Sequence, residues 1–236
     1  MDNPDLIPIS LGFVNVYYLR GADGGVLVDT GTPGSTERLF QALSEHGVAP
    51  QDIRGIVITH AHCDHCGGLP AVREATNAPV VASRRVAELL ARGGWEPAVP
   101  TGCLYRAAFG LLTIVGRVSK RARDMFDPEL GPMDVDIIVD EVYDLGQFGV
   151  AGRAIATPGH TLGSLSVVLD AGDAIIGDSL MAMGSAPRVA LVEDKPALGG
   201  SLARILALDP QRIHLSHGTV YTPEEIRCVY ERHFGG

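Results

Sequence analysis

The chain has 236 residues, 46% of them hydrophobic, with 28 acidic against 19 basic side chains for a formal net charge of −9. That apolar fraction supplies a sizeable core and excludes a disordered chain. The acidic balance disfavours a nucleic-acid partner, because a surface of this sign repels phosphate backbones.

The length suits one α/β or all-β domain, expected to run over residues 1–236. Met1-Asp2-Asn3-Pro4-Asp5 does not read as a secretory signal. The most apolar run, Ala107–Gly116, is far short of the ~20 residues that cross a bilayer. Four cysteines do not make a disulfide framework in a chain of this size. The expectation is a cytoplasmic protein with no membrane partner.

Val14–Arg20 and Val26–Asp29 are β-rich runs joined across Gly21-Ala22-Asp23-Gly24, a hairpin signal. Ser35–His46 places Leu39, Phe40 and Leu43 at helical spacing and stops at Gly47. Gly55–Thr59 reads as a short buried strand, Gly68–Thr76 as a helix, Pro79–Ala82 as a strand and Arg84–Arg92 as a helix. From Trp95 to Asp140 the rhythm breaks. Leu104, Ala108, Leu111, Val115 and Val118 form a helical stripe widened by Phe109 and Leu112, so an inserted helical segment is expected around 95–140. Strands resume at Glu141–Leu145 and Arg153–Thr157, and Ser164–Leu169 with Ala174–Gly177 forms another hairpin. Leu198–Leu208 is a helix, Arg212–Leu215 a strand, and Pro223–His233 a closing helix with proline at its first position.

Into this pattern falls Thr59-His60-Ala61-His62-Cys63-Asp64-His65-Cys66-Gly67-Gly68. His60 and His62 are two apart, so in extended backbone both face one side. Asp64 and His65 turn onto the start of the next helix. Such a run can offer two imidazoles to one metal and a carboxylate plus an imidazole to another. Nitrogen and oxygen donors suit zinc, and also iron or manganese.

The H-x-H-x-D-H run resembles the most specific signature of the metallo-β-lactamase superfamily. Val28-Asp29-Thr30-Gly31, Thr157-Pro158-Gly159-His160-Thr161, Gly177-Asp178-Ser179 and Ser216-His217-Gly218 match further family elements in order. The resemblance spans Asn15 to Val220 and implies a four-layer αβ/βα sandwich with metals at one edge between two sheets. It implies that His60, His62 and His160 hold one divalent ion, that Asp64, His65 and His217 hold a second, and that Asp178 bridges. Each of these residues follows an apolar strand, whose end gives a rigid base. His217 competes with His214 of the same strand, and the family position with Gly218 favours His217. Asp29 is read as a carboxylate that orients a ligating imidazole, against the plainer role of satisfying turn amides. Cys63 and Cys66 spell C-x-x-C, but Asp64 and His65 between them are committed as ligands, so the cysteines are read as small packing residues rather than a redox pair. Gly67 and Gly68 read as close-approach positions.

The implied chemistry is hydrolysis. Metal binding brings a water's pKa to ~7, and two ions ~3.5–4 Å apart orient a bridging hydroxide and stabilise the developing charge. Asp64 and Asp178 would fix the nucleophile and are the catalytic candidates. The substrate expected is a small, partly apolar molecule with an ester, lactone, thioester or related bond. Glutathione-thioester hydrolases of the family carry an added C-terminal helical region, whereas little of this chain follows His217. Its lactonase-like members carry a tyrosine beyond the bridging aspartate that Ser179-Leu180-Met181-Ala182-Met183 does not match. The alternative on the same fold is a persulfide dioxygenase-like enzyme with one iron on His60, His160 and Asp178. Leu111 and Leu112 of the apolar stripe, with Met181, are expected to line a greasy pocket; the stripe would form a lid or wall over the metals, a homodimer contact, or plain core.

Overall fold

The computed structural model describes residues 3–102, 107, 131–182 and 186–235. The first sheet runs in space as it does in sequence: β1 (Leu6–Ser10), β2 (Asn15–Gly21), β3 (Gly24–Val28), β4 (Ile53–Val57), β5 (Val80–Ser83) and β6 (Ile137–Val139). β1 to β3 form an antiparallel meander, and β3 to β6 are parallel. The parallel crossovers carry α1 (Thr36–Glu45), then α2 (Cys63–Cys66) with α3 (Leu69–Thr76), then α4 (Arg84–Leu90). The second sheet has the order β12 (Val220–Tyr221), β11 (Arg212–His214), β10 (Asp173–Ile175), β9 (Leu165–Leu169), β8 (Gly152–Ala156), β7 (Val142–Asp144). All its pairs are antiparallel except β10 with β11, which are joined by α5 (Lys195–Ala207). α6 (Pro223–Phe234) closes the fold.

The central strands β3, β4, β5, β9 and β10 are largely apolar and buried because neither face of the sheets meets water there, while β1, β7 and β12 at the edges keep exposed residues. On β2, Val16 and Tyr18 pack with Leu39 and Leu43 of α1, Leu69 and Val72 of α3, and Val86 and Leu90 of α4. The alternate residues Tyr17 and Leu19 point the other way, onto Val28, Val57 and Val81 of their own sheet and Leu165, Val167 and Ile175 of the other. The outer face of the second sheet, Ile155, Val168, Ala174 and Ile213, is covered by Leu198, Leu202 and Ile205 of α5 and Ile226 and Val229 of α6. Three apolar layers separate four structural layers, and the expected αβ/βα sandwich is the observed one.

Local chemistry sets the helix starts. Asp194 accepts from the Ala197 amide at 2.9 Å, and Pro196 sits in the first turn, so α5 begins at Lys195 rather than at Leu198 as expected from its apolar spacing. Thr222 and Glu225 form a reciprocal capping box for α6. β1 is absent from the sequence reading. The segment expected to be helical around 95–140 ends instead in a strand, β6, which pairs with β5. The stripe with Leu111 and Leu112 lies outside the described residues, as does its role as a lid. Among the described residues no helix is long and apolar enough to cross a membrane.

Candidate metal centre

The side chains of interest leave the strands at one edge of the sandwich. Asp29 follows β3, and Thr59 to His65 follow β4. His160 lies in the turn between β8 and β9, Asp178 follows β10, and His217 follows β11. The two sheets are tied together beside them: Leu165 N–H donates to Thr59 O at 2.7 Å, Asn15 N–H to Ser216 O at 2.8 Å, and the Tyr17 hydroxyl to Leu215 O at 2.7 Å.

Asp29 adopts φ 64°, a left-handed conformation that aspartate tolerates better than most residues. The turn aims its carboxylate at the next strand. Oδ1 accepts the Thr59 N–H at 2.8 Å, and Oδ2 accepts both the Thr59 hydroxyl and His65 Nδ1–H at 2.7 Å. Asp29 thus holds an imidazole as expected, and the amide it satisfies belongs to Thr59, just past the neighbouring strand, rather than to its own turn. With Nδ1 donating, His65 Nε2 carries the lone pair. The Thr59 hydroxyl gives its only hydrogen to Asp29, so it accepts from His60 Nδ1 at 3.1 Å, and His60 Nε2 is a lone pair too. His160 Nδ1 donates to Leu191 O at 3.0 Å and His217 Nδ1 to Phe13 O at 2.8 Å, with the same consequence. Close behind, a Cβ on Gly68 would strike the Thr30 carbonyl, so the chain can pass here only as glycine.

The free ring atoms converge. His60 Nε2, His62 Nδ1 and His160 Nε2 lie 2.9–3.2 Å from one another. Asp178 Oδ2 is 3.9 Å from His60 Nε2 and 3.8 Å from His160 Nε2, and 3.5 Å from His65 Nε2 and 3.3 Å from His217 Nε2. Asp64 Oδ2 is 3.1 Å from His217 Nε2 and 3.8 Å from His65 Nε2. Two sets result: His60, His62, His160 and Asp178, and Asp64, His65 and His217, with the ligand atoms of each set within 4.8 Å. All seven residues expected to bind metal are thus brought together.

The arrangement fits divalent cations. Lone pairs of His60 and His160 face each other with no hydrogen between them, which is repulsive unless a cation sits at their focus. A tetrahedral ion with bonds of ~2.0–2.1 Å spaces its ligand atoms by ~3.3 Å. His65 Nε2 and Asp178 Oδ1 are buried without a hydrogen-bond partner. Charge tells the same story. Burial pushes His60 and His62 below the ordinary imidazole range and His160 down to about 4, so these three are neutral ligands. Burial acts likewise on His65 and His217, but the carboxylates outweigh it. Asp178, Asp64 and Asp29 hold His65 well above its usual range, and Asp178 and Asp64 raise His217 to about 10. Burial would raise Asp64, yet His65 and His217 draw it down to about 2. This half of the site demands positive charge, from protons or from a metal ion.

Other candidates fall away. His214 donates from Nε2 to Asp173 at 2.8 Å, beside the ion pair of Asp173 with Arg212, and belongs to neither ligand set. His46 closes α1 and His233 lies in the last turn of α6, as their helix-end positions imply. Cys66 is fully buried, its thiol donates to His62 O, and burial raises its pKa well above the ordinary range, which makes it a packing residue. Cys63 is half-buried and in no disulfide. Met181 is half-buried three residues past Asp178, and its backbone pairs with Arg188. Sequence reasoning missed Phe13, whose exposed ring stacks on His217 at 5.7 Å, and the Leu191 carbonyl; a backbone acceptor leaves no mark in a sequence. It also missed Glu96, whose carboxylate accepts from the Ala61 amide between His60 and His62.

A four-layer sandwich with a His/Asp cluster at the shared edge of its sheets defines a metal-binding α/β protein. The family model of the metallo-β-lactamase superfamily matches residues 9–217, and the chain belongs to that superfamily. It is similar to a probable metallo-hydrolase of Bacillus subtilis, 24% identical over 93% of this chain and 86% of that one. It is also similar to a probable metallo-hydrolase of Methanocaldococcus jannaschii, 27% identical over 73% of this chain and 70% of that one. Among solved structures, a subclass B3 metallo-β-lactamase of Bradyrhizobium japonicum shares the fold, with a TM-score of 0.68, 21% identity, and coverage of 97% of this chain and 88% of that one. The protein is a metallohydrolase of this superfamily.

Proposed function

We propose that the chain hydrolyses an ester, lactone or thioester bond of a small, partly apolar molecule at a dinuclear zinc centre. The observation that carries this reading is the completeness of both ligand sets, four residues in one and three in the other. His60, His62 and His160 would hold one ion, Asp64, His65 and His217 the other, and Asp178 lies within 3.9 Å of imidazoles of both sets, where its carboxylate can serve the two together. Bound zinc supplies a water-derived nucleophile at neutral pH and a Lewis acid for the oxyanion.

The chain's own groups do the rest. Asp64 and Asp178 are the acceptors that can orient an attacking water and receive its proton. The Asp29 and Thr59 bonds engage Nδ1 of His65 and of His60, so Nε2 is the nitrogen each ring aims inward. Phe13, 52% exposed on His217, and Leu162, 45% exposed two residues beyond His160, offer apolar surface for a substrate group. Met181 stands on the same loop as Asp178.

Elemental analysis of protein purified without added metal, followed by a panel of ester, lactone and thioester substrates, tests the reading. Two zinc ions per chain and turnover of one substrate class are expected. One iron per chain with oxygen uptake on a persulfide would overturn hydrolysis in favour of the oxidoreductase alternative.

A further inference from the structure

Glu96 is 4% exposed, its side chain not at all, and it belongs to neither ligand set. Three N–H donors converge on it. Oε2 accepts from the Ala61 amide at 2.8 Å, and Oε1 accepts from the Gly163 amide at 2.8 Å and from Arg85 Nε at 3.2 Å. The Glu96 amide in turn donates to Ala61 O at 3.0 Å. Ala61 is the residue between His60 and His62, and Gly163 lies in the turn that follows His160. One carboxylate thus spans from the loop after β4 in the first sheet to the loop before β9 in the second.

Arg85 extends the bridge. Its Nη2 donates to Glu193 Oε1 at 2.8 Å, Glu193 Oε2 accepts from the Leu162 amide at 2.8 Å, and the Glu193 amide donates to Gly159 O at 2.9 Å and His160 O at 3.0 Å. His160 is therefore gripped from both sides. Only a carboxylate offers acceptors on both ends for three donors. There is also no room to replace it by packing from Gly163, because a Cβ there would run into Glu96 Oε1. Burying a carboxylate against one half-exposed guanidinium is a costly way to fill space. What it secures is the mutual position of the loops that present three imidazoles.

We propose that Glu96, with Arg85 and Glu193 behind it, is a positioning residue for the His60/His62/His160 half of the metal centre and sets the metal affinity of that half selectively. The proposal rests on the metal-centre reading above.

The test is a zinc titration of the metal-free protein against a chromophoric chelator, resolving the two equivalents in the parent, in Glu96→Gln and in Arg85→Gln. Loss of a hydrogen-bond partner behind a ligand costs ~10–100-fold in metal affinity. Glu96→Gln should lose that much in one equivalent and leave the other unchanged. Arg85→Gln, at a half-exposed position, should weaken the same equivalent by less. Hydrogen exchange at the Ala61 and Gly163 amides should quicken in Glu96→Gln. If the parent takes up no zinc, the metal-centre reading itself fails. If the parent takes up two and Glu96→Gln binds both as tightly, the centre stands and the positioning role is wrong. Equal weakening of both equivalents would make Glu96 a general post of the fold and also overturn the proposal. Should Glu96→Gln fail to fold, Arg85→Gln decides alone, and unaltered affinity there refutes it.

Discussion

Asp29→Asn should weaken both metal sites together. Asparagine adopts the left-handed conformation at φ 64° as readily as aspartate, so the backbone is not strained. The side chain is the issue. Three donors meet Asp29: the Thr59 amide at 2.8 Å on one oxygen, and the Thr59 hydroxyl and His65 Nδ1 at 2.7 Å on the other. An amide has one oxygen. Turned to His65 and the hydroxyl, its NH2 confronts the Thr59 N–H; turned to the amide, it abandons His65. In the first case the Thr59 backbone is pushed away, and with it the hydroxyl that orients His60; in the second His65 is released to carry its proton on Nε2, the ligating atom, and the Thr59 hydroxyl loses its acceptor. A loss of ~10–100-fold in affinity, about 1.4–2.7 kcal/mol, is expected in each equivalent. Competition titration against a chelator measures it, with kcat/KM on the identified substrate falling in parallel. Affinity equal to the parent's in both equivalents would show that the carboxylate serves the turn and not the ligands.

Three further outcomes follow from the structure. Asp173 is buried, with Arg212 Nε and Nη2 at 2.7 Å, His214 Nε2 at 2.8 Å and Asn3 Nδ2 at 2.9 Å; burial would raise its pKa, but these donors hold it well below the usual carboxylate range. Such a group stabilises the fold fully above the unfolded value of ~3.9 and loses that contribution as pH falls toward the folded value. Asp173→Asn should therefore cost roughly 2–4 kcal/mol near pH 7, a little under the usual penalty for breaking a buried pair because Arg212 reaches water. Urea unfolding at pH 7 and pH 3 should show the gap to the parent shrinking in acid, and a gap independent of pH would contradict the argument. Removing metal with a chelator should lower Tm by ~5–10 °C for a ligand present at ~100 times its Kd, while unfolding stays cooperative; identical melting with and without chelator would count against bound metal. An alkylating reagent should modify the exposed Cys228 in the native protein and reach Cys66 only on unfolding, as peptide mapping would reveal, whereas a native Cys63–Cys66 disulfide would contradict the packing role.

The ligands were legible because metal chemistry crowds rare residue types into short runs at strand ends. The ligand partners were legible only in part. Asp29 stands beside a recognisable turn, but Glu96 earns its place through amides 35 and 67 residues away and has no local pattern to betray it. β1 was hidden by Pro8, which breaks the usual reading of a strand; at the sheet edge, opposite Tyr17, a missing N–H leaves no ladder partner wanting. β6 is a β-branched run, Ile137-Ile138-Val139, whose strand character depends on the exposed edge of β5 that receives it. Periodicity in the residues before it could not announce that edge.

Each candidate ligand set takes residues from both sheets, and this bears on how the site is preorganised. His60 and His62 come from the first sheet and His160 from the second, 100 and 98 residues away in sequence, yet their ring nitrogens lie 3.2 Å apart. That approach is set from outside the cluster. It is imposed from below by the inter-sheet core of Tyr17, Val28, Val57, Leu165, Val167 and Ile175, and from the sides by the Thr59–Leu165, Asn15–Ser216 and Glu96 bonds. The apolar layers thus carry the cost of preorganisation. A cation bound there meets ligand atoms already placed by the two sheets, rather than having to draw the sheets together.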